Sequence, residues 1–426
     1  MIKRFNKIKS VKGELKLGGD KSISHRAAIF AGMAKGKSLI KNISSGEDVR
    51  STLIVLQLLG VKVKSDSGKI VIDGLGFKGF KKPVSTLNCG NSGTTARLFS
   101  GLLSVQNFST ILIGDKSLSS RPMKRVIEPL TKMGAKIKYS ENQTLPITIL
   151  PTDKLNSISY KMPVASAQVK SSILLAGLHL EDETSVIESE MTRNHTEKML
   201  GLTVNYSDNL VISKSSRKFY PVSKEYFIPG DISTSAFHIV LAIIASNSEL
   251  LIKKVSLNPT RTGFIEVLRQ MGGNISYENV HSSSNEEYGD VLIKSSNLKN
   301  IEIEKSIIPN IIDEIPILTV AGIFASGTFK INNAKELRIK ESDRIKSICY
   351  NLKLLGLDVM EFEDGFEAGG IIKNQNVTFE SFGDHRIAMA FAVLSMLLEK
   401  GGEVNDYECV NISNPNFEEQ IKTICV

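Results

Sequence analysis

The chain has 426 residues, 41% hydrophobic and 23% charged, with 53 Lys and Arg against 45 Asp and Glu for a formal net charge of +8. This length exceeds what one hydrophobic core supports and predicts two or three domains; the composition is that of an ordinary globular protein. Its longest apolar runs, Ala236–Ala245 and Ile387–Leu398, fall short of the roughly 20 residues of a membrane span, and no membrane partner is expected.

The N-terminus is basic (Lys3, Arg4, Lys7, Lys9), but no apolar segment follows it, so no signal peptide is expected. The next stretch, Lys21-Ser22-Ile23-Ser24-His25-Arg26 running into Ala27–Ala34, sets a pattern: a polar, partly cationic head leads into an apolar segment of helix length. The pattern returns at Ser92–Arg97 into Leu98–Ser104, and at Ser166–Lys170 into Ser171–Leu178. Further copies are Asp231–Ser235 into Ala236–Ala245, Asp313-Glu314 into Ile315–Ala325, and Asp384-His385-Arg386 into Ile387–Leu398. Successive heads lie about 65–80 residues apart, longer than the common solenoid periods.

Between the apolar helices runs a second unit: strand, loop, amphipathic helix ending near Gly, strand, turn, strand. Its first copy is Ser38–Ile43, Ser45–Gly60, Val61–Lys64 and Lys69–Ile72; its second is Thr110–Ile113, Ser120–Gly134, Ala135–Tyr139 and Leu145–Leu150. The later amphipathic helices are Thr192–Gly201, Asn258–Gly272, Glu341–Gly356 and Ser413–Ile424. Ser45, Ser120, Asn258 and Ser413 read as N-caps, with Pro122, Pro259 and Pro415 at the first helical position. Gly60, Gly134, Gly201, Gly272 and Gly356 read as C′ residues. The chain is thus β-α-β-α-β-β six times, an α/β protein of two domains with three units each. The last unit lacks strands, which Ile2–Leu17 would supply. The domains are therefore expected at 1–19 with 231–426, and at 20–230, with crossovers near Gly19-Asp20 and Gly230-Asp231, Gly-Asp pairs that could hinge.

A helix N-terminus is an anion site. The heads carry Lys21, Arg26, Arg97 and Arg386, and the first turns of the amphipathic helices add Arg121, Arg193, Arg261, Lys340 and Arg344. Cations recurring where the helix dipole disfavours them point to a strongly anionic ligand; any single one is also readable as a surface cation. Asp313 and Glu341 stand beside cations, either as ion-pair struts or as general bases. Asp384 is read as an N-cap more simply than as half of a base dyad. There is no G-x-S-x-G elbow, P-loop or strand-linked G-x-G-x-x-G. The cysteines (Cys89, Cys349, Cys409, Cys425) lack C-x-x-C spacing, fitting a reduced cytosol and no zinc site. No run of five basic residues and no Trp occurs, so no nucleic-acid partner is expected.

Gly19-Asp20-Lys21-Ser22, Asn91–Arg97, Ser120-Arg121-Pro122-Met123, Ser166–Lys170, Lys340-Glu341-Ser342-Asp343-Arg344 and Gly383–Arg386 together resemble 5-enolpyruvylshikimate-3-phosphate synthases, in the family's order and over essentially the whole chain. The resemblance implies two inside-out α/β domains, each of three β-α-β-α-β-β repeats, with a cleft between them that closes on substrate. It implies transfer of the enolpyruvyl group of phosphoenolpyruvate to the 5-hydroxyl of shikimate 3-phosphate; no metal and no cofactor are expected, nor, since a closed two-domain cleft needs no partner, an assembly beyond a cytoplasmic monomer. The implied acceptor contacts are Lys21, Ser22, Arg26, Ser166, Gln168, Arg193, Asp313 and Lys340. Those for phosphoenolpyruvate are Lys21, Asn91, Gly93, Arg121, Gln168, Glu341, Arg344 and Arg386. Asp313 is the implied base for the 5-hydroxyl, and Lys21 or Glu341 the implied proton donor to the methylene carbon.

The Gly-Asp-Lys-Ser, Ser-Ala-Gln-x-Lys, Arg-x-His-x-Glu and Asn-x-Thr-Arg (Asn258–Arg261) patterns resemble the second subclass, often less sensitive to glyphosate, and intermediate to low sensitivity is expected although Gly93 is kept. Ile412 stands where many members have Lys, and Glu336 where one subclass has Asn. A related family, the UDP-N-acetylglucosamine enolpyruvyl transferases, uses a Cys in a loop of the second unit; here the loop Gly114–Arg121 has none. A non-catalytic anion-binding repeat protein is the alternative if the cations prove scattered.

Overall fold

Six apolar helices occupy the positions that the pattern assigns them: Lys21–Met33, Gly93–Leu103, Ala167–Gly177, Ile232–Ile244, Ile315–Phe324 and His385–Leu397, in a computed structural model that describes residues 1–66, 69–152 and 154–426. Each is buried along nearly its whole length. Their starts follow from capping chemistry. Asp20, Ser92, Ser166, Asp231 and Asp384 accept backbone N–H groups of the first turn through their side chains. The fifth helix instead opens with Pro316, whose missing N–H has no helical partner to lose there.

By its contacts the chain divides into two units. The first holds Met1–Leu17, Pro229–His281 and Glu287–Val426; the second holds Gly18–Ile228 with Ser282–Glu286. Among the described residues the strands form six sheets. In the second unit the strand orders are Glu225–Phe227, Lys35–Lys41, Lys69–Leu75, Lys62–Asp66; then Leu87–Asn88, Thr110–Ile113, Ile147–Leu150, Lys136–Tyr139; then Ser159–Lys161, Thr184–Glu188, Leu210–Ser215, Thr203–Ser207. In each the first pair is parallel and the others antiparallel. The first unit repeats the scheme with Lys12–Lys16, Glu249–Ser256, Glu286–Lys294 and Asn274–Ser283. It then shortens the scheme to Phe329–Ile331, Gly365–Gly369 and Asp358–Phe362, and finally to Val377–Glu380, Gly402–Asn405 and Lys3–Phe5.

Two expectations need correction. Ile2–Leu17 does not complete the last unit alone: Lys3–Phe5 pairs with Gly402–Val404, but Lys12–Lys16 runs parallel to Glu249–Lys253 in another sheet. The strand ahead of the first core helix thus belongs to the first unit. The strand ahead of the fourth, Glu225–Phe227, pairs with Leu39–Lys41 in the second. The amphipathic helices also start later than their apparent caps. They begin at Glu47, Lys124, His195, Gly263, Arg344 and Phe417. The reason is clearest at Asn258, whose side chain accepts from Thr260 N at 3.0 Å and so closes a turn of its own before the helix. Ser120 ends a short, unforeseen helix, Lys116–Ser119. The helix ends agree with the pattern: Gly60 and Gly356, for example, have φ of +91° and +73°, the left-handed region that glycine enters freely.

No single helix among the described residues is long and apolar enough to cross a membrane. Two large cores account for stability, one per unit, each built on three of the apolar helices. Packing of helix on sheet is close. A Cβ at Gly74 would lie 2.1 Å from the Ala31 carbonyl oxygen and 2.2 Å from that of Ala34. Gly74→Ala must therefore move backbone, and should destabilise the chain by about 1–3 kcal/mol or more in denaturant unfolding; an unchanged midpoint would show that strand and helix separate freely.

Buried histidines add a pH dependence. His238 lies inside the core helix Ile232–Ile244, its Nδ1 paired with the Thr234 carbonyl at 3.2 Å, and burial pushes its pKa from 6.5 to about 4. Below pH 6.5 the unfolded chain takes up a proton there that the folded chain refuses, so stability falls as pH drops from 6.5 toward 4. Relative to the parent, His238→Asn should lose less stability on acidification, by about 1.4 kcal/mol per pH unit in that window. Parallel pH profiles for parent and variant would refute the neutral buried imidazole.

Candidate active site

The residues expected from the sequence lie at or just ahead of helix starts, core and amphipathic alike, in two clusters, one in each unit.

In the first unit the centre is Arg344, the first residue of the helix Arg344–Leu354 and 1% exposed at its side chain. Its Nη1 stands 3.2 Å from Asp313 Oδ1, its Nη2 2.6 Å from Glu341 Oε2, and its Nε 2.8 Å from Asp384 Oδ2. Burial works against the charged guanidinium, but Asp384, Glu341 and Asp313 together outweigh it and raise its pKa. Asp384 therefore does two things: it caps the sixth core helix through Arg386 N and anchors Arg344. Asp313 lies just ahead of the fifth core helix. Besides Arg344 it has Lys340 Nζ at 3.9 Å and Arg386 Nη2 at 3.8 Å. Arg386 in turn donates to the Asp313 carbonyl at 3.0 Å and to Ser233 Oγ at 2.8 Å. Ser233 donates to the buried Glu314, which has Arg386 at 3.5 Å and Arg261 at 4.0 Å. Asp313, Lys340, Glu341, Arg344 and Arg386 are thus one network. Lys340 and Arg261 precede their helices rather than lying in the first turns, because the 3₁₀ segment Lys335–Ile339 and the Asn258 turn occupy the places where those helices were expected to start.

In the second unit, Lys21 opens the first core helix and pairs with Asp48 at 2.9 Å. One turn on, Arg26 is 3% exposed. It donates to Thr196 Oγ1 at 2.7 Å, Ser171 Oγ at 2.8 Å and the Ser22 carbonyl at 3.0 Å. No carboxylate lies within ion-pair distance of it among the described residues. Burial lowers its pKa to about 10, against the fields of Glu197, Asp20 and Glu286 and helped by that of Arg193. It remains cationic at neutral pH, a buried guanidinium held by neutral oxygens.

The second and third core helices meet beside it. Gly93 begins one of them, and a Cβ there would lie 2.5 Å from Arg97 Nη1, so any other residue would displace that guanidinium, while Arg121 Nη1 at 3.6 Å would stay in ordinary contact. Arg97 donates to Gln168 Oε1 at 2.7 Å, and Gln168 Nε2 donates to Thr94 Oγ1 at 2.9 Å. Arg121 donates to Asn91 Oδ1 at 2.7 Å and to Ser117 Oγ at 3.1 Å, while Asn91 donates to Asp115 at 2.7 Å. Asn91, Gly93, Arg121 and Gln168 are therefore neighbours. Ser166 caps the third helix, and Arg193 lies ahead of His195–Leu200, not in its first turn. Sequence reasoning missed Asp48, Asp115, Ser171, Thr196 and Ser233, ordinary polar residues whose roles depend on helices distant in sequence. Arg97 was visible as a head cation but had no role.

Cys89 is buried and burial pushes its thiol up to about 12, which removes it as a nucleophile. Among the described residues, no three His, Cys, Asp or Glu converge as metal ligands. What the clusters offer is carboxylates held by cations and a set of guanidiniums at helix starts, a chemistry of proton transfer around anionic groups.

Comparison with known proteins agrees with this chemistry. Residues 5–421 match the family model described as EPSP synthase (3-phosphoshikimate 1-carboxyvinyltransferase). A 3-phosphoshikimate 1-carboxyvinyltransferase of Petrotoga mobilis is 48% identical over 424 residues, covering 97% of each chain. One of Geotalea daltonii is 43% identical, covering 98% of each. The crystal structure of EPSP synthase from Acinetobacter baumannii superimposes with a TM-score of 0.87 at 39% identity, covering 100% of this chain and 98% of that one. The enolpyruvyl transferase NikO from Streptomyces tendae shares the fold, with a TM-score of 0.77 at 11% identity. By sequence along its whole length and by structure, the chain belongs to the EPSP synthase (3-phosphoshikimate 1-carboxyvinyltransferase) family.

Proposed function

We propose that the two clusters serve one reaction, with Asp313 as its base and Glu341 or Lys21 as its proton donor. The chain is a transferase of the shikimate pathway, acting in aromatic amino-acid biosynthesis. It moves the enolpyruvyl group of phosphoenolpyruvate to the 5-hydroxyl of shikimate 3-phosphate and releases phosphate. In the proposed course Asp313 takes the hydroxyl proton as the oxygen adds to the central carbon of phosphoenolpyruvate, and the donor protonates the methylene carbon to a methyl. A tetrahedral intermediate results. Loss of phosphate and return of one methyl proton to the enzyme give the enol ether. Arg121, Arg344 and Arg386, with Asn91, Gln168 and the backbone at Gly93, hold phosphoenolpyruvate, whose carboxylate and phosphate suit forked guanidinium donors. Arg26, Arg193, Lys340, Ser22, Ser166 and Gln168 hold shikimate 3-phosphate, and Lys21 reaches both. The observation that carries this reading is the Arg344 bridge: one buried guanidinium fixes Asp313 and Glu341 at 3.2 and 2.6 Å, so acid and base are oriented together. We further propose that the enzyme works as a cytoplasmic monomer on these small molecules, without nucleic-acid or membrane partners.

Phosphate release from phosphoenolpyruvate should require shikimate 3-phosphate, and Asp313→Asn should lower kcat by about 10²–10⁴-fold. Release that proceeds without the acceptor, or a near-normal kcat in the variant, would remove the assigned base. For the acceptor site, Arg26→Gln should raise the KM for shikimate 3-phosphate roughly 10- to 100-fold, the loss of a charge-assisted contact. A parental KM would take Arg26 out of that site.

A further inference from the structure

Two of the stretches singled out in the sequence end on residues with no part in the chemistry above, Lys170 in Ser166–Lys170 and Glu197 in Arg193–Glu197. In the second unit these ends meet. Lys170 is 0% exposed, a rare state for lysine. Its Nζ stands 2.7 Å from Glu197 Oε1 and 2.6 Å from Glu188 Oε2, and donates to the Thr192 carbonyl at 3.4 Å. Both glutamates are buried. Glu188 also accepts the Thr192 hydroxyl, and Glu197 accepts Ser213 Oγ at 3.2 Å. Burial opposes the ammonium charge, but the two carboxylates outweigh it and raise the lysine pKa, so Lys170 stays charged. One ammonium against two carboxylates leaves a buried negative charge, and Arg26 is a cation within the field of Glu197.

A buried ion cluster is seldom needed for stability, since apolar side chains of similar volume often do as well. This one has a specific neighbourhood. Thr192, held by both Lys170 and Glu188, immediately precedes Arg193. The two side chains that grip Arg26 are Thr196, next to Glu197, and Ser171, next to Lys170; they also bond each other at 2.8 Å. Among the described residues, both side-chain partners of the Arg26 guanidinium are thus adjacent to a member of the cluster.

We propose that Lys170, clamped between Glu188 and Glu197, is a positioning residue for the acceptor: it fixes the Arg26 and Arg193 cations in the arrangement that receives shikimate 3-phosphate. This inference rests on the acceptor reading of Arg26 given above. The test measures the Kd of shikimate 3-phosphate by calorimetry, the KM for phosphoenolpyruvate and the unfolding midpoint. Two variants are compared, Lys170→Met and a neutral companion combining Lys170→Met with Glu188→Gln and Glu197→Gln. Acceptor Kd should rise about tenfold or more in both, while the KM for phosphoenolpyruvate stays within about twofold of the parent. If the single variant does not fold, the companion, which removes the three charges of the cluster together, decides. Parental acceptor affinity in a folded variant overturns the proposal, as does a parallel loss for both substrates, the mark of a merely structural cluster. Arg26→Gln run beside them separates the two readings. If it weakens acceptor binding while the Lys170 variants do not, this inference falls alone; if it too binds as the parent does, the acceptor reading falls with it.

Discussion

A helix that is apolar on every side can be buried whole, and once buried it presents polar backbone only at its ends. That constraint organises this molecule. Three such helices fill each core, and their N-terminal turns carry the N–H groups that no helix can satisfy internally. Small acidic or hydroxylated caps (Asp20, Ser92, Ser166, Asp231, Asp384) satisfy part of that demand. The residues just past the caps, Lys21, Gly93, Gln168 and Arg386 among them, are then held at the rim of a rigid core with little freedom to move. Side chains on such a rim are positioned by the packing of the helices that carry them.

The two units handle buried charge differently. In the first, Arg344 is over-supplied with carboxylates, and its field orients Asp313 and Glu341. In the second, Arg26 is held by hydroxyl and carbonyl oxygens only. A guanidinium already committed to acids orients them; one bonded to neutral oxygens keeps its charge uncancelled by direct contact and suits an incoming anion. The same side chain thus stands among acids in one place and among neutral oxygens in the other, the difference set by its neighbours.

Much of the architecture was legible because it rests on local rules. The core helices were visible as uninterrupted apolar runs with polar heads. The glycines after the amphipathic helices marked left-handed turns that the backbone adopts, and Asp384 read as a cap is one. The helix starts were misread because Ser, Asn and Pro signal a turn as readily as a cap: the Asn258 side chain closes its own turn, and Ser120 finishes a short helix instead of opening one. The clusters were legible as residue types at heads, not as partnerships. That Asp48 faces Lys21, or that Thr196 reaches Arg26 across 170 residues of sequence, depends on how helices pack, and no periodicity encodes it.

The strand Lys3–Phe5 has a consequence for the way the chain is made. It lies on the edge of the sheet whose other members are Val377–Glu380 and Gly402–Asn405, so some 400 residues separate it from its partners, the Arg4–Glu403 separation being 399. Loop closure over such a distance carries an entropic cost that local pairing does not. A ribosome delivers Lys3–Phe5 well before its partner Gly402–Asn405, which follows only after residues 18–228 have emerged. Lys3–Phe5 therefore stays unpaired until its distant partner has been made. The second unit, contiguous from Gly18 to Ile228 but for a five-residue hairpin tip, can acquire its core while Lys3–Phe5 and Lys12–Lys16 still await their partners in Gly402–Asn405 and Glu249–Ser256.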